Sequence, residues 1–259
     1  MPVISTYDWL DQWYDEPYKL CKKLVKLFGG TSERSIYSYL RSFGMYRPSR
    51  NGKECIHELK ENKVWEIVKK EHQLLQKEWV GEDVPIIIFP ADSSNPGLRE
   101  YNGKSGVAFK DKLFLFVSPQ NEKNEIRALF THEYNHVCRL LKYKKNDDSY
   151  TLLDTIILEG LAENAVRERL GDKYAAAWTN YYSQDEAQYY WNKIIKPKRN
   201  VLRGHRIHDQ LLYGHGLFPK MVGYNVGYQL VKSCIDHQGD AIKTLLSFQS
   251  NDIVKYSDF

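Results

Sequence analysis

ALFTHEYNHVCRLLK, residues 128–142, places a glutamate directly after the first of two histidines that stand four apart. Whether this stretch is helical decides fold and chemistry together, because only a helix sets His132 and His136 one turn apart on a common face. Ile126, Phe130, Val137 and Leu141 supply the apolar spacing of one helix over residues 122–143. The two histidines then fall at the edge of its apolar stripe, where each can offer a ring nitrogen to one ion. Glu133 can reach a water held by that ion without ligating it. This is the HExxH arrangement, in which zinc polarises a carbonyl and acidifies a water while the glutamate takes the proton.

Two ligands do not complete a catalytic zinc, which takes three from protein and keeps one position open. The next helical segment, LLDTIILEGLAENAVRERL over 152–170, offers Glu159. It follows Leu152, Ile156 and Ile157 on a strongly apolar stretch, where an unpaired carboxylate is costly to bury and a metal removes that cost. Thr151 to Asp154 has the form of a capping box, and Gly171 stops the helix. Glu163, one turn beyond Glu159, can accept a hydrogen bond from the outward ring nitrogen of His132 or His136 and fix its tautomer. Gly160 removes a side chain next to Glu159, which would let this helix and the HExxH helix approach closely.

Around this centre, apolar spacing in residues 7–80 predicts helices, with stop signals at Gly29-Gly30, a start at Thr31-Ser32-Glu33 and a long helix over Val64 to Trp79. VPIIIF (84–89) and SGVAFKDKLFLFVSP (105–119) read as three short strands, the last two joined at Lys110-Asp111-Lys112. With 259 residues, a net charge of only +4 and both signs mixed along the chain, composition gives no bulk argument for nucleic acid or for an anionic membrane. The four cysteines are scattered singly, the N-terminus lacks signal-peptide form and the apolar runs are strand length. A cytoplasmic setting without a membrane partner is expected. KIIKPKRNVLRGHRIH, 193–208, reads as a solvated basic loop, with His205 and His208 as surface histidines, and Cys138 reads as a packed thiol.

HEYNHVCR, ILEGLAE and PKMVGYNVGYQLV together resemble the YjaZ-like predicted zinc-dependent proteases of Gram-positive bacteria, a family of gluzincin type. The resemblance runs from about Val84 to the C-terminus. It implies a zincin-like metallopeptidase domain over 84–259, which with the helical region read over 1–83 gives the expectation of a mostly helical α+β protein. In that domain a small sheet (84–118) packs beside the HExxH helix, with a helical C-terminal lobe (172–259). It implies His132, His136 and Glu159 as ligands of Zn2+, Glu133 as general base, and LFLFVS as a sheet edge that pairs with an extended peptide. Gluzincins draw an oxyanion donor from the C-terminal lobe. Here Tyr213, His215, Tyr224 and Tyr228 are available, with Tyr224 favoured and His215 next. The expected function is peptide-bond hydrolysis through a zinc-held water activated by Glu133, on a peptide or protein substrate. The competing reading is a non-catalytic peptide- or partner-binding protein on the same scaffold, against which Glu133 itself stands. A nucleic-acid binder resting on the basic stretch is the weakest alternative.

Overall fold

The computed structural model describes every residue except Met1, Glu100, Tyr101 and Asp240. It is mostly helical with one small sheet, and it divides into two compact units, Met1–Val137 and Cys138–Phe259.

In the first unit, helices Thr6–Trp13, Pro17–Lys22, Glu33–Ser42, Gly52–Glu61 and Val64–Trp79 precede the sheet. Gly29 turns left-handed after a short 3-10 segment, and Ser32 caps the next helix by accepting from the Ser35 N–H, as their residue types imply. Helix Gly52–Glu61 was not foreseen: it buries only Gly52, Ile56 and Leu59, too few apolar positions to mark a period. The strands are β1 (Ile86–Pro90), β2 (Ser105–Ala108) and β3 (Leu113–Val117), in the order β1-β3-β2. β1 runs parallel to β3 and β2 antiparallel to it. LFLFV is therefore the central strand, which corrects its assignment as a sheet edge. Its five consecutive apolar residues are all fully buried, the pattern of a strand covered on both faces. The edge on that side of the sheet is β2, whose residues are only half-buried.

One face of the sheet, with Ile87, Phe89, Phe114 and Phe116, shares a core with Leu10, Leu20, Leu24, Ile36 and Leu40. The sheet thus belongs with the N-terminal helices in one unit, whereas the sequence suggested a division near residue 83. The HExxH helix spans Lys123–Lys142. From Ala128 to Arg139 every residue except His132 is buried, so the histidines do not sit at the edge of an apolar stripe but on a helix enclosed almost all round. Phe130 and Tyr134 anchor one side: Tyr134 stacks on Phe130 at 5.4 Å and on Trp79 at 6.1 Å, and its hydroxyl donates to the Glu82 carbonyl at 3.0 Å.

In the second unit the helix Leu152–Leu170 starts with the expected capping box, Thr151 with Asp154. Residues 193–208 are largely solvated, as expected, but they are not loop throughout. Residues up to Lys198 continue helix Gln184–Tyr190 through a π turn and a 3-10 turn, and Val201 and Leu202 then tie back to the start of helix Leu152–Leu170. The Leu152 N–H donates to the Val201 carbonyl and the Arg203 N–H to the Tyr150 carbonyl, both at 2.8 Å. The stretch is exposed at most of its positions, among them Lys193, Lys196, Lys198, Arg203 and Arg206, while Ile195 and His208 are buried. Among the described residues no helix is long and apolar enough to cross a membrane.

Asp154 is the electrostatic hub of this unit. It accepts from Tyr143 Oη at 2.8 Å, Lys145 Nζ at 2.6 Å, Ser250 Oγ at 2.7 Å, and the Thr151 N–H and Oγ1 at 2.9 and 2.7 Å. Beside it Arg139 is buried and spends its guanidinium on the carbonyls of Leu245, Leu246 and Phe248. Burial alone would raise the Asp154 carboxyl, but Lys145, Thr151 and Ser250 hold it at about 2. Because the folded value lies below the unfolded one, the stabilisation is present above about pH 4 and is lost as pH falls towards 2. Urea unfolding is expected to show Asp154→Asn less stable than wild type by about 2 kcal/mol at neutral pH, with the difference shrinking across that acid window.

Candidate metal centre

Four neighbourhoods carry the nominated residues. On the HExxH helix the ring centroids of His132 and His136 lie 4.6 Å apart with planes at 84°, as an i, i+4 pair on one face requires. Glu133, only 7% exposed, packs on β2: a Cβ added at Gly106 would stand 2.5 Å from its Cγ. No side chain on that strand residue could coexist with Glu133 where it stands.

Glu159 is half-buried on the second helix, and the glycines around it explain its placement. A Cβ on Gly160 would meet the Gly227 carbonyl oxygen at 2.2 Å, and one on Gly227 would meet the Ile156 carbonyl oxygen at 1.9 Å. The helix Val222–Gln238 therefore crosses the glutamate helix backbone against backbone. The close approach expected at Gly160 is made with this helix and not with the HExxH helix. Asn164 locks the crossing, donating its amide to the Gly160 carbonyl at 2.8 Å and the Tyr228 carbonyl at 3.0 Å. Glu163 is buried one turn from Glu159, and one of its oxygens accepts the Ala176 N–H.

The C-terminal candidates separate. Tyr213, at the end of helix Arg206–Tyr213, has its hydroxyl hydrogen-bonded to the side chain of Tyr224 and lies within the field of the Glu159 carboxylate. Burial around the hydroxyl raises its pKa, Glu159 adds to the rise, and the bond to Tyr224 opposes it. His215 stacks on Tyr213 at 5.5 Å, and Tyr224 contacts both Tyr213 at 5.6 Å and Trp178 at 5.2 Å. Tyr213, His215 and Tyr224 thus form one group. Tyr228 is buried against Trp178, its phenol pushed up to about 12 by burial.

His208 is not a surface histidine. It is 1% exposed, with Nε2 at 3.0 Å from Thr155 Oγ1 and Nδ1 at 2.8 Å from Asp209, and so serves the packing of its helix. His205 is exposed and caps that helix, its Nδ1 accepting the Ile207 N–H, so the two do not form a ligand pair. Cys138 is buried as expected of a packed thiol. Gly106 was missed altogether, although a glycine inside a short strand is itself a signal of close approach.

One ring nitrogen from each of His132 and His136 and one carboxylate oxygen of Glu159 lie within 4.8 Å of one another. A mostly helical α+β protein with an HExxH helix and a His-His-Glu donor set is of the class that can hold a metal ion. Comparison with known proteins narrows the class. Residues 64–255 match the family described as "Predicted Zn-dependent protease (DUF2268)", and the chain belongs to that family. The uncharacterized protein YjaZ of Bacillus subtilis (strain 168) is 42% identical over 236 residues, covering 90% of each chain. The uncharacterized protein YjfC of the same organism is 23% identical over 229 residues, covering 80% of this chain and 75% of its own. No solved structure matches the chain.

The glycine crossing generates a direct test. Gly227→Ala sets a methyl against a backbone carbonyl that cannot swing aside, and is expected to cost about 3 kcal/mol, the upper part of the overpacking range. Thermal and urea unfolding measure it. A neutral substitution would show that the two helices can separate freely at this point.

Proposed function

We propose that the protein is a zinc-dependent metallopeptidase of gluzincin type on a zincin-like scaffold, with His132, His136 and Glu159 as metal ligands. The observation that carries this is the convergence of the three donor atoms within 4.8 Å, in a chain whose family is described as a predicted zinc-dependent protease. The donor set suits the ion: two imidazoles and one carboxylate are zinc ligands at roughly 2.0–2.2 Å, and side-chain rotation closes the remaining gap. When bound, zinc polarises a carbonyl and makes water a nucleophile at neutral pH.

The chain's own groups supply the rest of the chemistry. Glu133, buried beside His132, accepts a proton from the attacking water and returns it to the leaving amine. Glu163 orients a ligand imidazole from behind, leaving its tautomer fixed. The oxyanion donor comes from the group of Tyr213, Tyr224 and His215. Tyr213 joins Tyr224 as the leading choice because its hydroxyl lies within the influence of Glu159 while bonded to Tyr224. An extended peptide pairs with the free edge of β2, the strand on which Glu133 rests, so that backbone hydrogen bonds rather than side-chain pockets align the substrate. The substrate is a peptide or an exposed protein segment, with neither nucleic acid nor membrane as partner. A cytoplasmic setting suits the scattered free cysteines.

Glu133→Gln keeps the helix and the ligands but removes the base. It is expected to retain zinc and to lose roughly 10²–10⁴-fold in peptide-library cleavage. Undiminished cleavage by this variant would contradict the role of Glu133. A wild type that holds zinc but cleaves no peptide would instead favour a peptide-binding protein on the same scaffold.

A further inference from the structure

Gly106 has no conformational reason to be glycine. Its backbone is ordinary strand, outside the left-handed region that other glycines of the chain occupy. A glycine inside a strand weakens it, since it brings no side chain to pack and loses more freedom on folding. The register explains its presence. Val107, paired with Phe114, joins the core on the N-terminal helices, whereas Gly106, paired with Leu115, points to the opposite face. On that face a Cβ would lie 2.5 Å from Cγ, 2.6 Å from Cδ and 2.7 Å from Oε1 of Glu133. All three distances are below what real Cβ atoms tolerate, and all three involve the same side chain.

We infer that Gly106 is a positioning residue for Glu133: the missing side chain of the edge strand is the space in which the carboxylate is held. Resting on the hydrolase reading above, this deepens it. A glutamate on a helix has three side-chain torsions to fix, and a wall of strand backbone removes that freedom at folding instead of at each turnover. The same contact ties the base to the strand along which a substrate backbone would lie, so base and peptide share one frame of reference.

The test combines Gly106→Ala with Glu133→Ala and with the wild-type glutamate, and reads melting temperature, zinc content, kcat and KM. Gly106→Ala alone is expected to keep zinc, to lower kcat at least tenfold with KM changed less than threefold, and to lower the melting temperature by roughly 5 °C. In the Glu133→Ala background, where Cγ, Cδ and Oε1 are gone, the same substitution is expected to leave the melting temperature unchanged. This second comparison stays readable if the single variant folds poorly. An equal melting loss in both backgrounds would overturn the inference, because the glycine would then serve the strand and not Glu133. Unchanged kcat in Gly106→Ala would overturn it as well. A wild type that cleaves nothing would remove the hydrolase reading and the positioning role together, while the melting comparison would still decide whether the two side chains contend for one space.

Discussion

The contact of Gly160 with Gly227 is the constraint from which the glutamate side of the centre follows. Packed helices normally stand 8–10 Å apart on a layer of side chains. Here two glycines remove that layer, and carbonyl oxygens meet the positions where Cβ atoms would be. A backbone contact has no rotamers with which to adjust, so the register between the two helices is fixed. Glu159 is next to Gly160 in the chain, and Tyr224 is three residues before Gly227. One crossing therefore places both the carboxylate and Tyr224, whose side chain is hydrogen-bonded to Tyr213. Asn164 adds two hydrogen bonds across the same crossing, which satisfies its buried amide and resists sliding.

The histidine side depends on enclosure. Burying His136, Glu133 and Arg139 on one helix is costly unless each polar group finds a partner. Arg139 finds its partners in the carbonyls of Leu245, Leu246 and Phe248, and Glu71 finds one in Arg127 at 2.9 Å. Aromatic stacking of Phe130 and Tyr134 fixes the rotation of this helix about its axis, which sets the direction of the histidines half a turn away. In such a setting a bound cation is worth more than in water, because the surrounding dielectric is lower.

Much of this was legible in the sequence, for reasons that differ between elements. The HExxH helix, the glutamate helix with its capping box, and the long helix ending at Trp79 declare themselves by period and by end signals. That His132 and His136 share a face was legible because spacing within a helix fixes it, whereas Glu159 on the next helix was nominated by the cost of burying a carboxylate on an apolar stretch. What sequence could not give is lateral order. The run LFLFV announces burial on both faces, yet whether it is central or marginal depends on which strand pairs with it, and that is settled by residues far away in the chain. His208 looked like a loop histidine because its partner Thr155 lies on another helix, 53 positions away. Tyr213 ranked behind Tyr224 for the same reason: its bond to Tyr224 and its proximity to Glu159 are tertiary facts. Gly106 gave a local signal, but the identity of what approaches it could not be read locally.

The three-donor centre is tested most directly by the zinc content of protein purified without added metal, wild type beside Glu159→Ala, with circular dichroism to show that both are folded. About one zinc per chain in the wild type and little in the folded variant is the expected result, since two histidines alone do not make a closed zinc site. A wild type free of zinc, or a Glu159→Ala variant that retains it in full, would contradict the assignment of these three residues to one metal.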